Sequence, residues 1–354
     1  ASRNAVGHTA YGCARLSSCT IIELFITCRH AGGCMDEFRP KPWLTPAQQV
    51  KHLESEGIKF ELTSKDDAER YLEKNNNFFR INLFRKGFPT YVGGPNDGLF
   101  INLDFGMLRD LAIIDYEFRQ VLLSISIDVE HFSKLQLLRF LEAHQDDGYL
   151  IVEKYISSKD QKLDNGKTVN LVKSEINRGA NGCYTNQIIA DYPGYRYPVW
   201  AFVELIPFGT FNNFLLYVAK RYRDKKLQSR FYQLQSVKAL RNTCGHNNCI
   251  IDDLKGGDPS YQIGRNVKNA LRAIGYSDIT LSTKLSNDRI QQIATTLYLH
   301  HLIASSGVVA AKGVQLHQSV DRMYRNAQYY DKNDPVKSSF SFFKGMIDAW
   351  YPIV

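Results

Sequence analysis

The chain has 354 residues, 44% of them hydrophobic, and its 44 Lys and Arg against 36 Asp and Glu leave a formal charge of +8. That is enough apolar material for one large packed domain or two modest ones, and the basic excess favours polyanionic partners without identifying any. No run of about 18 apolar residues occurs, which excludes a bilayer-spanning helix and leaves no membrane role to expect. Cys13, Cys19, Cys28 and Cys34 crowd the first tenth of the chain and only Cys183, Cys244 and Cys249 follow. An odd count of seven is a poor disulfide framework, so a reducing, cytoplasmic setting fits better.

Residues 1–34 show no helical period, and the apolar stretch Ile21 to Cys28 is short for an export signal and lacks a compact basic region before it. The cysteine gaps there are five, eight and five residues, whereas structural zinc sites bring ligands in pairs two to four residues apart, so His8 and His30 gain little weight as metal ligands. The expectation is an atypical, disordered or non-native extension, with the native protein beginning at Met35.

An N-terminal helical module is expected over residues 35–100. Thr45 as N-cap and Pro46 at the first helical position open AQQVKHLESE, with Gly57 as its C-cap. Ser64 opens a second short helix through DDAERYLEKNN, and the aromatic stretch FFRINLFRKGF completes the module. GGPNDG at 93–98 is turn chemistry; no GK[ST] follows it, so it is a surface loop and not a phosphate loop. From Asp104 to about Glu142, apolar residues recur three or four apart (Phe105, Leu108, Leu111, Phe118, Leu122, Ile125, Val129), which predicts one long helix or two nearly collinear ones. Residues 151–197 mix signals, with a hairpin around Asn165-Gly166. A core helix from Pro198 is broken at Pro207 and resumes as FNNFLLYVAKRY; another runs from about Lys226 through RFYQLQSVKALRN. SNDRIQQIATTLYLHHLIASS and QLHQSVDRMYRNAQYY continue the helical pattern. The predicted fold is all-α, a bundle over residues 101–354 carrying the 151–197 segment as an insertion with a short β-hairpin.

The segment LQSVKALRNTCGHNN holds Arg241, Asn242 and His246 directly after an amphipathic helix. Cleaving RNA without metal needs a base for the 2′-hydroxyl proton, an acid for the leaving 5′-oxygen and a cation for the charge developing on phosphate. Histidine can do either proton job near neutrality, and arginine grips phosphate oxygens with a planar, permanently charged fork. Five positions on an ideal helix turn a side chain by about 140°, so Arg241 and His246 cannot share one face of a straight helix, and Gly245 offers the break that would let them converge. On spacing alone, a helix end with Arg241 in a salt bridge and His246 at the helix dipole is the better account of the motif.

From Lys41 to about residue 255 the chain resembles the Abi family of abortive-infection proteins, of the Abi-D and Abi-F type, in several separated blocks. These are KPWLTPAQQVKHLESEGI, NNFFRINLFRKGF, FGMLRDLAIIDYEFRQVLLSISIDVEHFSKLQL, YPVWAFVELIPFGTFNNFLL and ALRNTCGHNN. The last resembles an Arg-Asn-x-Cys-x-His signature, departing from the family at Gly245 and Asn247, where Ala and His are commoner. That resemblance places the chain in the HEPN superfamily of helical bundles, which commonly dimerise so that two such motifs face one RNA strand. It implies a metal-independent endoribonuclease needing no cofactor, with Arg241 on phosphate, His246 in proton transfer and Asn242 orienting them. It also implies a role in antiphage defence, or as a toxin whose antitoxin is a small structured RNA.

Glu204 falls on the same helix face as Trp200, where it lines the site, pairs with Arg241, or is a buried structural carboxylate. Asp115, Arg119, Glu130 and Asn247 are further candidates near the cleft, although a solvated helix face explains the first three more cheaply. His131, His144, His300 and His301 read as packed or surface histidines. Lys220, Arg221, Arg223, Lys225, Lys226 and Arg230, interleaved with aromatic residues and just upstream of the motif, form a candidate RNA-backbone grip. The rival reading is a noncatalytic RNA-binding or scaffold protein of the same fold; retention of Arg241, Asn242 and His246 together argues against it.

Overall fold

A computed structural model describes residues 43–353 except 183 and 261; the extension expected over residues 1–34, with its zinc reading, lies outside the described residues. Among these, 15 α-helices and a single two-stranded sheet make an all-α bundle with a short hairpin.

The N-terminal helices start where their caps dictate. For α1 (Pro46–Ser55), the Thr45 side chain accepts from the Gln48 amide at 3.3 Å and the Gln48 side chain accepts from the Thr45 amide at 2.9 Å, a reciprocal capping box. The helix closes at Glu56, and Gly57 follows at φ +84°, with Leu99 and Phe100 so close that a Cβ would meet them at 3.1 Å. Helices α2 (Lys65–Lys74) and α3 (Phe78–Phe84) are capped by Ser64 and Asn77.

The sequence from Phe105 forms one continuous 39-residue helix, α4 (Phe105–Ala143), about 58 Å long. Its N-cap Asp104 also fastens the preceding module: one carboxylate oxygen accepts from the Gly106 amide at 2.7 Å and the other from the Glu61 and Leu62 amides at 2.7 and 3.2 Å.

Helix α5 (Leu150–Ser157) leads into the antiparallel pair β1 (Asp160–Lys162) and β2 (Thr168–Asn170), with Gln161 opposite Val169 and the turn closed by Gly166 at φ +76°. Two short helices, α6 (Leu171–Gly179) and α7 (Asn186–Asp191), follow. Helices α8 (Val199–Leu205) and α9 (Phe208–Arg221) are separated at Ile206, which turns extended at ψ 144°, because Pro207 disfavours a helical residue before it. Helix α10 (Lys225–Gly245) carries the motif, and α11 (Arg265–Ala273), α12 (Asp278–Lys284), α13 (Asp288–Ile303), α14 (Ser306–Tyr324) and α15 (Asp334–Trp350) complete the chain.

Two apolar clusters share α4 and α10. One joins α1–α3 and the first half of α4 to the end of α10 and to α13–α15, through residues such as Leu53, Phe105, Phe118, Leu240, Ile293 and Phe343. The other gathers the second half of α4 with α5, α6 and α8–α10 around Val129, Tyr155, Phe202, Phe214 and Leu234. Helix α10 passes from the second cluster at Val237 to the first at Leu240 and Cys244, so its C-terminal turns are held by both. Among the described residues no helix is long and apolar enough to cross a membrane.

Candidate active site

The motif occupies the last turns of α10. Arg241 is half-buried: its Nη2 lies 3.2 Å from Glu130 Oε2 on α4, and its guanidinium sits 5.6 Å from the centre of the Phe208 ring at the start of α9. Glu130 is shared with Lys134, at 3.5 Å, and Lys134 reaches on to Glu204 at 3.6 Å. Glu204 is therefore an exposed member of a charge relay and not a buried carboxylate, and it meets Lys134 instead of Arg241; Glu130 occupies the position expected of it.

Gly245 does not break the helix. The α-helix runs through it, His246 forms the C-cap with its amide donating to the Asn242 carbonyl at 2.9 Å, and the chain reverses one residue later, at Asn247, with φ +59°. Asn tolerates this left-handed conformation better than most residues. Arg241 and His246 thus stay about 140° apart around the axis and do not converge within one chain. Asn242, one turn before His246, shares its face. The His246 imidazole is exposed, and among the described residues it makes no side-chain hydrogen bond or ion pair. Asn242 lines a groove of about 720 Å³ with Tyr232, Lys238 and Gln262.

The segment after the motif is fixed from behind by charge. Asp115 and Arg119, one turn apart on α4, are 1% and 3% exposed and paired with each other. Asp115 Oδ1 also accepts from the Ile250 and Ile251 amides at 2.7 and 3.1 Å, and Arg119 donates to the Asn248 carbonyl at 3.3 Å. Burial pushes the Asp115 carboxyl up, against the opposing pull of the Ile250 amide and Arg119. A solvated face is the wrong account of these two residues: they are a buried seam that positions the motif loop. Glu130, too, is mostly covered, at 13% side-chain exposure. Cys244 and Cys249 are buried free thiols whose pKa burial pushes up to about 12, so they pack and do not act as nucleophiles.

Arg80, on α3, donates to the Asn247 carbonyl from 167 residues away, and no sequence pattern pointed to it or to Lys134. The basic run divides differently from its sequence order. Lys220, Arg221, Arg223, Lys225 and Lys226 are exposed around the start of α10, and the sixteen residues from Lys225 to Arg241 put that patch about 24 Å from the motif along the helix. Arg230 is turned inward, its Nη1 buried without a hydrogen-bond partner among the described residues, and burial lowers its pKa. It is not part of an exposed grip. Of the histidines, His300 is buried against Tyr351, His301 stacks on Trp350, and His131 and His144 are exposed.

Among the described residues no group of three or more His, Cys, Asp or Glu is placed to hold a metal ion. A family model described as Abi-like protein matches residues 70–252, a span that runs from α2 through the motif and the loop held by Asp115, and that leaves α1 outside. No curated protein and no solved structure matches the chain.

Proposed function

The chain belongs to the Abi-like protein family, a membership that suggests abortive infection and phage defence, and from that premise we propose that it is a metal-independent endoribonuclease of the HEPN type. The observation that carries the reading is the surface end of α10, where Arg241 and the exposed His246 stand just before a loop whose backbone is held by the buried Asp115 and Arg119.

In the proposed reaction a ribose 2′-hydroxyl attacks the adjacent phosphorus and passes its proton to a base. The bond from phosphorus to the 5′-oxygen breaks, that oxygen takes a proton from an acid, and the products are a 2′,3′-cyclic phosphate and a 5′-hydroxyl. A neutral His246 can be the base and a protonated one the acid. Each chain offers one such imidazole here and the reaction needs two proton transfers, so the second is assigned to a second copy of the chain facing the same RNA. Arg241 binds the non-bridging oxygens as their charge grows; Glu130 holds its rotamer while the half-exposed fork keeps donors for the ligand. Asn242 orients the phosphate from the His246 face. The exposed cations from Lys220 to Lys226 would bind RNA backbone further from the cut, or a small structured RNA that restrains the protein as an antitoxin.

The test is cleavage of single-stranded RNA by the purified chain in EDTA. Wild type is expected to cut, with Arg241→Ala and His246→Ala each slower by about a hundredfold or more. RNA bound but left intact by the wild type would replace this reading with the noncatalytic RNA-binding one.

A further inference from the structure

A cavity of about 430 Å³ opens between the end of α2, the start of α3, the first half of α4 and the turn that follows His246, within the size range of small-ligand sites. Its charged lining consists of Arg80, Arg119 and Asp115, two cations against one anion. Asp115 is fully engaged by Arg119 and by the Ile250 and Ile251 amides. The Arg80 guanidinium has no ion pair among the described residues and donates to the Asn247 carbonyl. Arg119, 3% exposed, keeps a buried Nε with no hydrogen-bond partner among the described residues, an unfavourable state that an incoming acceptor would relieve. On the rim stands Tyr116, 55% exposed, with the Arg119 guanidinium 5.9 Å from its ring centre. Asn75 and Asn76 add neutral amides to the lining.

We propose that this cavity is a subsite for one nucleotide of single-stranded RNA, with its phosphodiester against Arg80 and Arg119 and its base stacked on Tyr116. The inference rests on the nuclease reading, since Asn247, which lines the cavity, directly follows His246, and the nucleotide held there would adjoin the bond being cut. The charges match: the surplus of one positive charge meets the single negative charge of a phosphodiester. Tyr116 supplies the aromatic face on which unpaired bases stack, and the Asn75 amide can both donate to and accept from a base edge. The N-terminal helices thereby become part of the RNA-binding surface and not only a packing module.

The experiment uses the full chain carrying His246→Ala, so that RNA survives, and measures affinity for a labelled single-stranded oligoribonucleotide across a salt series. Adding Arg80→Gln is expected to weaken binding about tenfold near 0.15 M salt and to reduce the slope of log affinity against log salt by about 0.7, one phosphate contact on a single strand. Arg80→Lys, which keeps the charge, should retain the slope. Tyr116→Ala should weaken binding about tenfold with the slope unchanged, as expected for stacking. If Arg80 merely props the Asn247 carbonyl, Arg80→Gln would leave the slope where it was, and the subsite would be wrong even with cleavage by the wild type intact. Conversely, a wild type that never cuts but shows these slope changes overturns the nuclease reading and leaves an RNA-binding cavity. Superimposable melting curves for the four variants establish that the comparison is among folded proteins.

Discussion

Asp115 has the largest predicted effect of any single residue in the site. Its carboxylate neutralises the buried Arg119 and caps two amides of the loop after His246. Removing one partner of a buried ion pair strands the other and typically costs about 3–5 kcal/mol. Asp115→Ala is therefore expected to lower the melting temperature by roughly 6 °C or more, at the few degrees per kcal/mol typical of domains this size; calorimetry showing a fall of under about 2 °C would contradict it. Replacing both, as Asp115→Leu with Arg119→Met, should recover part of the loss, because the stranded charge disappears as well. The pair was visible in the sequence as an Asp and Arg four apart, but that spacing is the same for a solvent-facing pair and a buried one. Only the approach of residues 248–251 to α4 distinguishes them, and that is a long-range fact.

At the scale of the element, the N-caps of the first two helices and the break at Pro207 were legible, since each depends on residues within one turn. The end of α10 was misread at Gly245 because glycine is the commonest residue in a left-handed C-terminal position, and here Asn247 takes that conformation two residues later. This gives a sharp expectation for the helix end. Asn247→Gly should leave stability nearly unchanged, whereas Asn247→Ala should cost about 1 kcal/mol, the penalty of a Cβ in left-handed backbone, read as a shift in urea midpoint at constant slope. Equal midpoints for the two variants would mean that the reversal does not depend on φ at this position. The basic run illustrates the opposite limit: adjacency in sequence to a motif on a straight helix becomes distance in space, so its charges cannot be assigned to the catalytic end.

At the scale of the whole molecule, the all-α class followed from period alone, while the joining of distant segments did not. Arg80 reaching Asn247 and His300 bridging three parts of the bundle have no local signature. His300, on α13 and 0% exposed, meets Tyr351 Oη at 3.0 Å near the C-terminus and lies 3.4 Å from Asp128 on α4. Burial lowers its pKa to about 4; Asp128 pulls the other way, and Lys312 on α14 and the neighbouring His301 reinforce the lowering. The unfolded chain, with an ordinary histidine near 6.5, then binds more protons than the folded one between pH 6.5 and 4. The stabilisation from keeping His300 neutral is complete above 6.5 and is lost as pH falls toward 4, amounting to on the order of 2–3 kcal/mol. Denaturant unfolding followed over that window should show wild-type stability dropping with acid more steeply than that of His300→Gln, whose side chain does not titrate. Parallel profiles for the two proteins would mean that the folded and unfolded chains hold the His300 proton equally, so that the Asp128 carboxylate offsets burial where α4, α13 and Tyr351 meet.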